Sequence, residues 1–130
     1  MRNASCMMLA AGLAAGLWTP AQAGLADEVD LNNRLAGVSA TDRLRKRCGS
    51  IEARMVTATA FLWETAYAAR DRGYSREEIE AYIEDDDAKA VIEAGADKYL
   101  EEKGGLDEAA LCATGRAEIE AGTAIGKLLR

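Results

Sequence analysis

Residues 54–70, Arg-Met-Val-Thr-Ala-Thr-Ala-Phe-Leu-Trp-Glu-Thr-Ala-Tyr-Ala-Ala-Arg, constrain the fold of this chain more than any other stretch. At helical spacing they carry two adjacent apolar stripes. One runs Ile51, Met55, Ala58, Leu62, Ala66, Ala69, and the other runs Val56, Ala60, Trp63, Tyr67. Between the terminal arginines the single charge is Glu64. A helix that is apolar over most of its circumference packs against neighbours on several sides. The stretch is shorter than the roughly 20 apolar residues that span a bilayer, and Thr and Glu interrupt it. The expectation is an all-α fold: a small single-domain bundle of about five helices around this central buried helix.

Where the chain works is written at its start. Residues 1–23 have the three parts of a secretory signal. Arg2 supplies the positive charge, residues 7–18 an apolar run, and Ala21-Gln22-Ala23 the small-x-small cleavage site, with Pro20 just before it. Cleavage between Ala23 and Gly24 gives a single mature domain, residues 24–130, in the periplasm or medium. The competing reading, an uncut membrane anchor, is disfavoured because the run is too short to span. Lipid attachment is also excluded, since Cys6 precedes the apolar run instead of following it.

Export then decides the cysteine chemistry. Cys6 leaves with the signal, and the remaining pair, Cys48 and Cys112, reads as one disulfide in an oxidising compartment. Closing a loop of about 65 residues is worth roughly 4 kcal/mol by the chain-entropy estimate. There is no Cys-x-x-Cys for redox work or haem attachment, and the sequence has no histidine, the commonest zinc partner. No metal or cofactor is expected. The net charge is −6, and removal of Arg2 makes it more negative by one. Nucleic acid and anionic membrane surfaces, which select for basic excess, are therefore disfavoured partners.

The remaining helices announce themselves by their ends. A first helix over 29–47 has a thin apolar side of Leu31, Leu35, Val38 and Leu44, and a basic last turn that suits the negative end of its dipole. Cys48-Gly49-Ser50 turns the chain, with Ser50 as candidate cap of the central helix over about 51–71, which Gly73 ends. Ser75-Arg76-Glu77-Glu78 is a capping box flanked by Tyr74 and Ile79 as a hydrophobic staple, and the short helix it opens is expected to bury Ile79, Tyr82 and Ile83. Glu84-Asp85-Asp86-Asp87 fails the alternation of an EF-hand loop and reads as the cap and first turn of a helix over about 88–103. In that helix Ala88, Val91, Ile92, Gly95, Tyr99 and Leu100 take core spacing, with Gly95 allowing a neighbour to approach closely. Asp107 caps a fifth helix over 108–121 whose inward face is Leu111, Cys112, Gly115 and Ile119. A final turn carries Ile125, Leu128 and Leu129, and no alternating strand pattern occurs in the mature chain.

Three segments together are similar to a known family. They are Arg47-Cys48-Gly49-Ser50-Ile51; Gly73-Tyr74-Ser75 with Glu78, Ile79 and Tyr82; and Cys112-Ala113-Thr114-Gly115-Arg116-Ala117-Glu118-Ile119 followed by Ile125-Gly126-Lys127-Leu128-Leu129. Over residues 35–130 the chain resembles short exported bacterial proteins catalogued as a domain of unknown function. The resemblance implies an exported helical protein with a Cys48–Cys112 bridge, and it implies no activity, cofactor or catalytic residue.

No catalytic set assembles from the residues. A serine has no histidine to activate it, and both mature cysteines are expected to be oxidised. A carboxylate pair acting on a glycan is conceivable from 22 acidic residues, with Glu64 as the acid to inspect. Yet the acids fall at helix starts and exposed faces. Glu64 also reads as an exposed-edge charge or a partner for Arg116. Arg116 and Glu118 read first as ties between the last helix and its neighbours, and Arg116 alternatively as a contact for an anionic ligand. The favoured function is non-enzymatic: an interaction or binding module for another exported protein, with no stable membrane insertion. The runner-up is an acid-type holdase, opened when the carboxylates lose charge below about pH 4.

Overall fold

In the computed structural model, which describes residues 24–130, the chain forms five α-helices: α1 Val29–Arg47, α2 Met55–Asp71, α3 Arg76–Glu84, α4 Asp86–Lys103 and α5 Glu108–Ala121. Single 3-10 turns, Leu25–Asp27 and Gly126–Leu128, precede and follow them. Among the described residues there is no strand, only one antiparallel bridge between Ala53 and Leu129. The all-α bundle and its five helices agree with the sequence reading. The signal peptide and the apolar run of residues 7–18 lie outside the described residues.

The helix at the centre is α1, not α2. It packs on α4 along its length, on α5 and, more loosely, on α2. Its Leu31, Ala40, Thr41 and Leu44 are buried, with Leu44 fully so. What brings α1 to the centre is small residues, not apolar bulk. A Cβ placed on Gly95 of α4 would stand 3.2 Å from the Ala36 Cβ of α1, so the two helices meet almost backbone to backbone. Close-packed interiors gain dispersion energy from such approach without needing a wide apolar stripe. The core that results joins Ala40 and Leu44 of α1, Ala96 and Leu100 of α4, Leu111 of α5, and Ile51, Ile125 and Leu129 from the connections.

The expectation of a buried α2 is therefore corrected. Only Thr65 and Ala69 of this helix are buried. Ala58 and Ala66 of its first stripe are half-buried, whereas Met55 and Leu62 of the same stripe stay exposed. The whole second stripe faces outward. Two further apolar residues assigned to the interior, Ile83 of α3 and Val91 of α4, are exposed as well.

The start of α2 is also later than expected. Residues 51–54 are not helical, because their backbone is engaged elsewhere: Glu52 and Arg130 exchange N–H to carbonyl bonds of 2.8 and 2.9 Å, and the Arg54 amide donates to the Leu128 carbonyl at 2.8 Å. Helix α2 thus begins after Arg54 without a side-chain cap, and Ser50 does not serve as one. Ile51 instead turns inward against Gly115 of α5, where a Cβ would overlap its Cδ1 atom. Beside it the Cys48–Cys112 disulfide, with α-carbons 5.2 Å apart, fastens the end of α1 to α5.

Local punctuation follows the sequence. Ser75 and Glu78 exchange both bonds of the capping box. Asp85 accepts from the Ala88 amide at 2.8 Å and Asp107 from the Ala110 amide at 3.0 Å, capping α4 and α5. Gly73, with φ of 97°, turns the chain out of α2.

Candidate functional site

Three arrangements of polar or exposed side chains stand out, and they do different things. The first ties α1 to the α2–α3 turn. Arg72, just past α2, donates two parallel bonds to the Asp30 carboxylate, at 2.7 and 2.6 Å, and also pairs with Glu28. The Tyr74 hydroxyl donates to Glu28 at 3.1 Å and the Tyr82 hydroxyl to the Asn32 side chain at 2.6 Å. The Arg72 hydrogen bonds hold the Asp30 carboxyl down to about 2, well below its ordinary value. A bidentate guanidinium–carboxylate pair fixes orientation as well as proximity, so this cluster sets the angle at which α2 leaves the bundle.

The second arrangement is a buried acid. Glu118 of α5 is 3% exposed. Its carboxylate accepts the Tyr99 hydroxyl at 2.7 Å and the Thr123 hydroxyl, and the Lys103 ammonium lies 3.3 Å away. Burial alone would raise its pKa, but the Thr123, Tyr99 and Lys103 contacts outweigh it and hold the carboxyl below the ordinary range. Burial and the neighbouring carboxylate push the Tyr99 phenol up. Both Glu118 carboxylate oxygens are thus engaged by side chains of the fold. The group acts as a clasp: Thr123 also accepts the Gly126 amide at 3.0 Å, and Gly126 lies so close to the Glu118 carbonyl that a Cβ there would overlap it. Glu118 therefore binds the C-terminal segment onto α5 and α4, as the tie expected of it.

Arg116 does not share this role. It is exposed and forms no ion pair among the described residues, because α5 turns it away from the bundle while Glu118 turns in. Glu64 is exposed and not paired with Arg116. It faces no second acid; it lines a cleft of about 730 Å³ whose other polar edge is Asn33, Arg34, Tyr99 and Thr123.

The third arrangement is the outward stripe of α2. Val56 is 86% exposed, Trp63 60% and Tyr67 56%, with Ala60 exposed between them. The Trp63 and Tyr67 rings lie side by side, centroids 6.2 Å apart. The steps from 56 to 60 to 63 to 67 alternate four and three residues, the seam spacing that lets one helix lie along another. Isolated exposed apolar residues are ordinary, but two aromatic rings and a valine in line on one helix are not. These four residues were legible in the sequence as a stripe, though assigned to the interior; Tyr99, Lys103 and Thr123 had no sequence signal as partners of Glu118.

No helix among the described residues is long and apolar enough to cross a membrane. A family described as of unknown function, DUF5333, matches residues 23–130. No curated protein and no solved structure matches the chain.

Proposed function

The chain belongs to that family, and since a family of unknown function lends no activity, we propose from the residues alone that this is a non-enzymatic, exported interaction module that docks a helix of another exported protein along the α2 seam. The observation that carries the reading is the outward line of Val56, Ala60, Trp63 and Tyr67. Residues 56 to 67 cover about 17 Å of helix, three turns, which matches the apolar face of one partner helix. Trp and Tyr are the side chains that most often dominate such contacts. The chain's acidic balance favours a partner with basic residues flanking its apolar face, which long-range attraction would steer to the seam.

Export is supported by the tripartite leader of residues 1–23 and by the disulfide, which persists in oxidising compartments. The family match begins at residue 23, where that leader ends. A periplasmic location follows from this reading.

The test is a photo-crosslinking phenylalanine analogue in place of Trp63, with the adduct mapped by mass spectrometry and the capture repeated with Trp63→Asp. The expected adduct is one protein, joined through a segment with an apolar helical face and basic flanks, and lost in Trp63→Asp. Adducts to many unrelated proteins, or capture indifferent to Trp63→Asp, would contradict it. A cross-link to a second copy of the chain would replace the partner by a homodimer.

A second reading, an acid-opened holdase, draws on the depressed carboxyls of Asp30 and Glu118. It requires a soluble, loosened state below about pH 4 that suppresses aggregation of a model client. Precipitation at that pH would end it.

A further inference from the structure

The cleft behind α2 has a composition that the protein-docking seam does not explain. Its floor is apolar and low: Gly37 of α1, Gly95 of α4, Phe61 of α2, and Ile125 and Leu128 of the C-terminal segment. Both glycines lie in the packed floor: a Cβ on Gly95 would stand 3.2 Å from the Ala36 Cβ, and one on Gly37 would stand 3.7 Å from the Ile125 side chain. Its volume of about 730 Å³ falls within the range of roughly 300–1,000 Å³ found for small-ligand sites.

The rim carries opposite charges on different helices. Arg34 and Asn33 come from α1 and Glu64 from α2. None of these three side chains makes a hydrogen bond or ion pair among the described residues, whereas Arg43 pairs with Asp97, Arg45 and Lys46 with Asp42, and Arg72 with Asp30. Arg34 and Glu64 thus line the same cleft without neutralising one another. A purely anionic amphiphile would meet Glu64 and a purely cationic one would meet Arg34, each at a cost. A zwitterion with an apolar body satisfies both.

From the cleft, its apolar floor and the unengaged Arg34–Glu64 rim, we propose a binding site for a short apolar peptide with free ends, its carboxylate held by Arg34 and Asn33 and its ammonium by Glu64. The volume suits a few residues better than a single amino acid. A planar guanidinium with a neighbouring amide is well matched to a carboxylate, and an ammonium needs only the point charge that Glu64 offers. From α2 the site takes Phe61 and Glu64, neither of which is one of the four seam residues.

The test uses the tripeptide Leu-Ala-Leu, titrated into the chain from Gly24 onward while the amide resonances of Gly37 and Gly95 are followed by NMR. Saturable shifts at both glycines with millimolar or tighter affinity are expected. Blocking the peptide's amine by acetylation, or its carboxylate by amidation, should each weaken binding about tenfold. Arg34→Gln should abolish the penalty for amidation alone, and Glu64→Gln the penalty for acetylation alone. Glu64 is exposed and Arg34 half-buried, and neither side chain makes a bond within the fold, so these variants keep the fold, which their unchanged melting temperatures would confirm. Trp63→Ala should leave the titration unchanged. No saturable shift at Gly37 and Gly95, equal binding of free and doubly blocked peptide, or tighter binding of decanoate than of Leu-Ala-Leu would overturn the proposal.

Discussion

Helices α1 and α2 invert the usual relation between composition and burial. Helix α2 is rich in apolar residues yet shows Val56, Trp63 and Tyr67 to solvent; α1 carries charges, Gly37, Ser39 and Thr41, yet lies at the centre of the bundle. The difference is where small residues face each other. Ala36 meets Gly95, and Ala40 and Leu44 sit in the core with Ala96 and Leu100, so α1 and α4 close on one another tightly. Helix α2 offers no such partner surface on its outer side, and its aromatic stripe stays available. Apolar content marks surface that something must cover; it does not say whether the cover comes from the same chain.

Substitutions can break this comparison at its extremes. Leu44→Ala, at a side chain with no exposed surface, should cost about 2–5 kcal/mol in urea unfolding, near the upper end of large-to-small core changes. A loss below about 1 kcal/mol would mean that α1 is not the centre. Replacing Cys48 and Cys112 together by Ser should cost about 2–5 kcal/mol, chiefly by freeing the unfolded chain, with the helical circular dichroism of the folded state retained.

The clasp at the C-terminus comes next. Glu118→Ala leaves the Tyr99 and Thr123 hydroxyls without their acceptor, and should cost about 1–3 kcal/mol. It should also speed hydrogen exchange at the Arg130 amide, which donates to Glu52, and at the Glu52 and Arg54 amides, which donate to Arg130 and Leu128.

Acid acts on the same ties. The Asp30 carboxyl is held at about 2 by Arg72, and that of Glu118 is also below its ordinary value. A depressed carboxyl contributes stability that is present above its unfolded pKa, near 4, and is lost as pH falls toward its folded value. Melting temperature should therefore hold steady at neutral pH and decline below about pH 4. Arg72→Ala should flatten the Asp30 part of that decline, and an equally steep decline in the variant would contradict the assignment. Smallest of all, Trp63→Ala should change stability by no more than about 0.5 kcal/mol, while Leu44→Ala shows its full loss.

How much of this was readable in the sequence depended on distance along the chain. The Ser75 capping box, the Asp85 and Asp107 caps and the bounds of α5 depend on residues three or four apart, and they stand as expected. Gly95 as a point of close approach was also legible, because a glycine on an apolar stripe has few other uses. The location of the start of α2 was not. Residues 51–54 have a helical pattern, but their backbone pairs with residues 128–130, a partner that no local signal announces. Likewise, periodicity showed that α2 has two apolar stripes, but which one the bundle covers depends on α1 and α4. In the candidate sites, Glu118 was recognisable as a tie, whereas its contacts with Tyr99 and Thr123 and the placing of Glu64 and Arg34 around one cleft arise only on folding.

The most direct test of the account is the emission and quenching of Trp63 in the chain from Gly24 onward, where it is the sole tryptophan. An outward seam predicts a red, solvent-like emission, quenched by iodide nearly as freely as a model indole and protected when the partner binds. A blue emission shielded from iodide in the isolated monomer would contradict it, returning α2 to the interior and leaving the proposed docking surface without its residues.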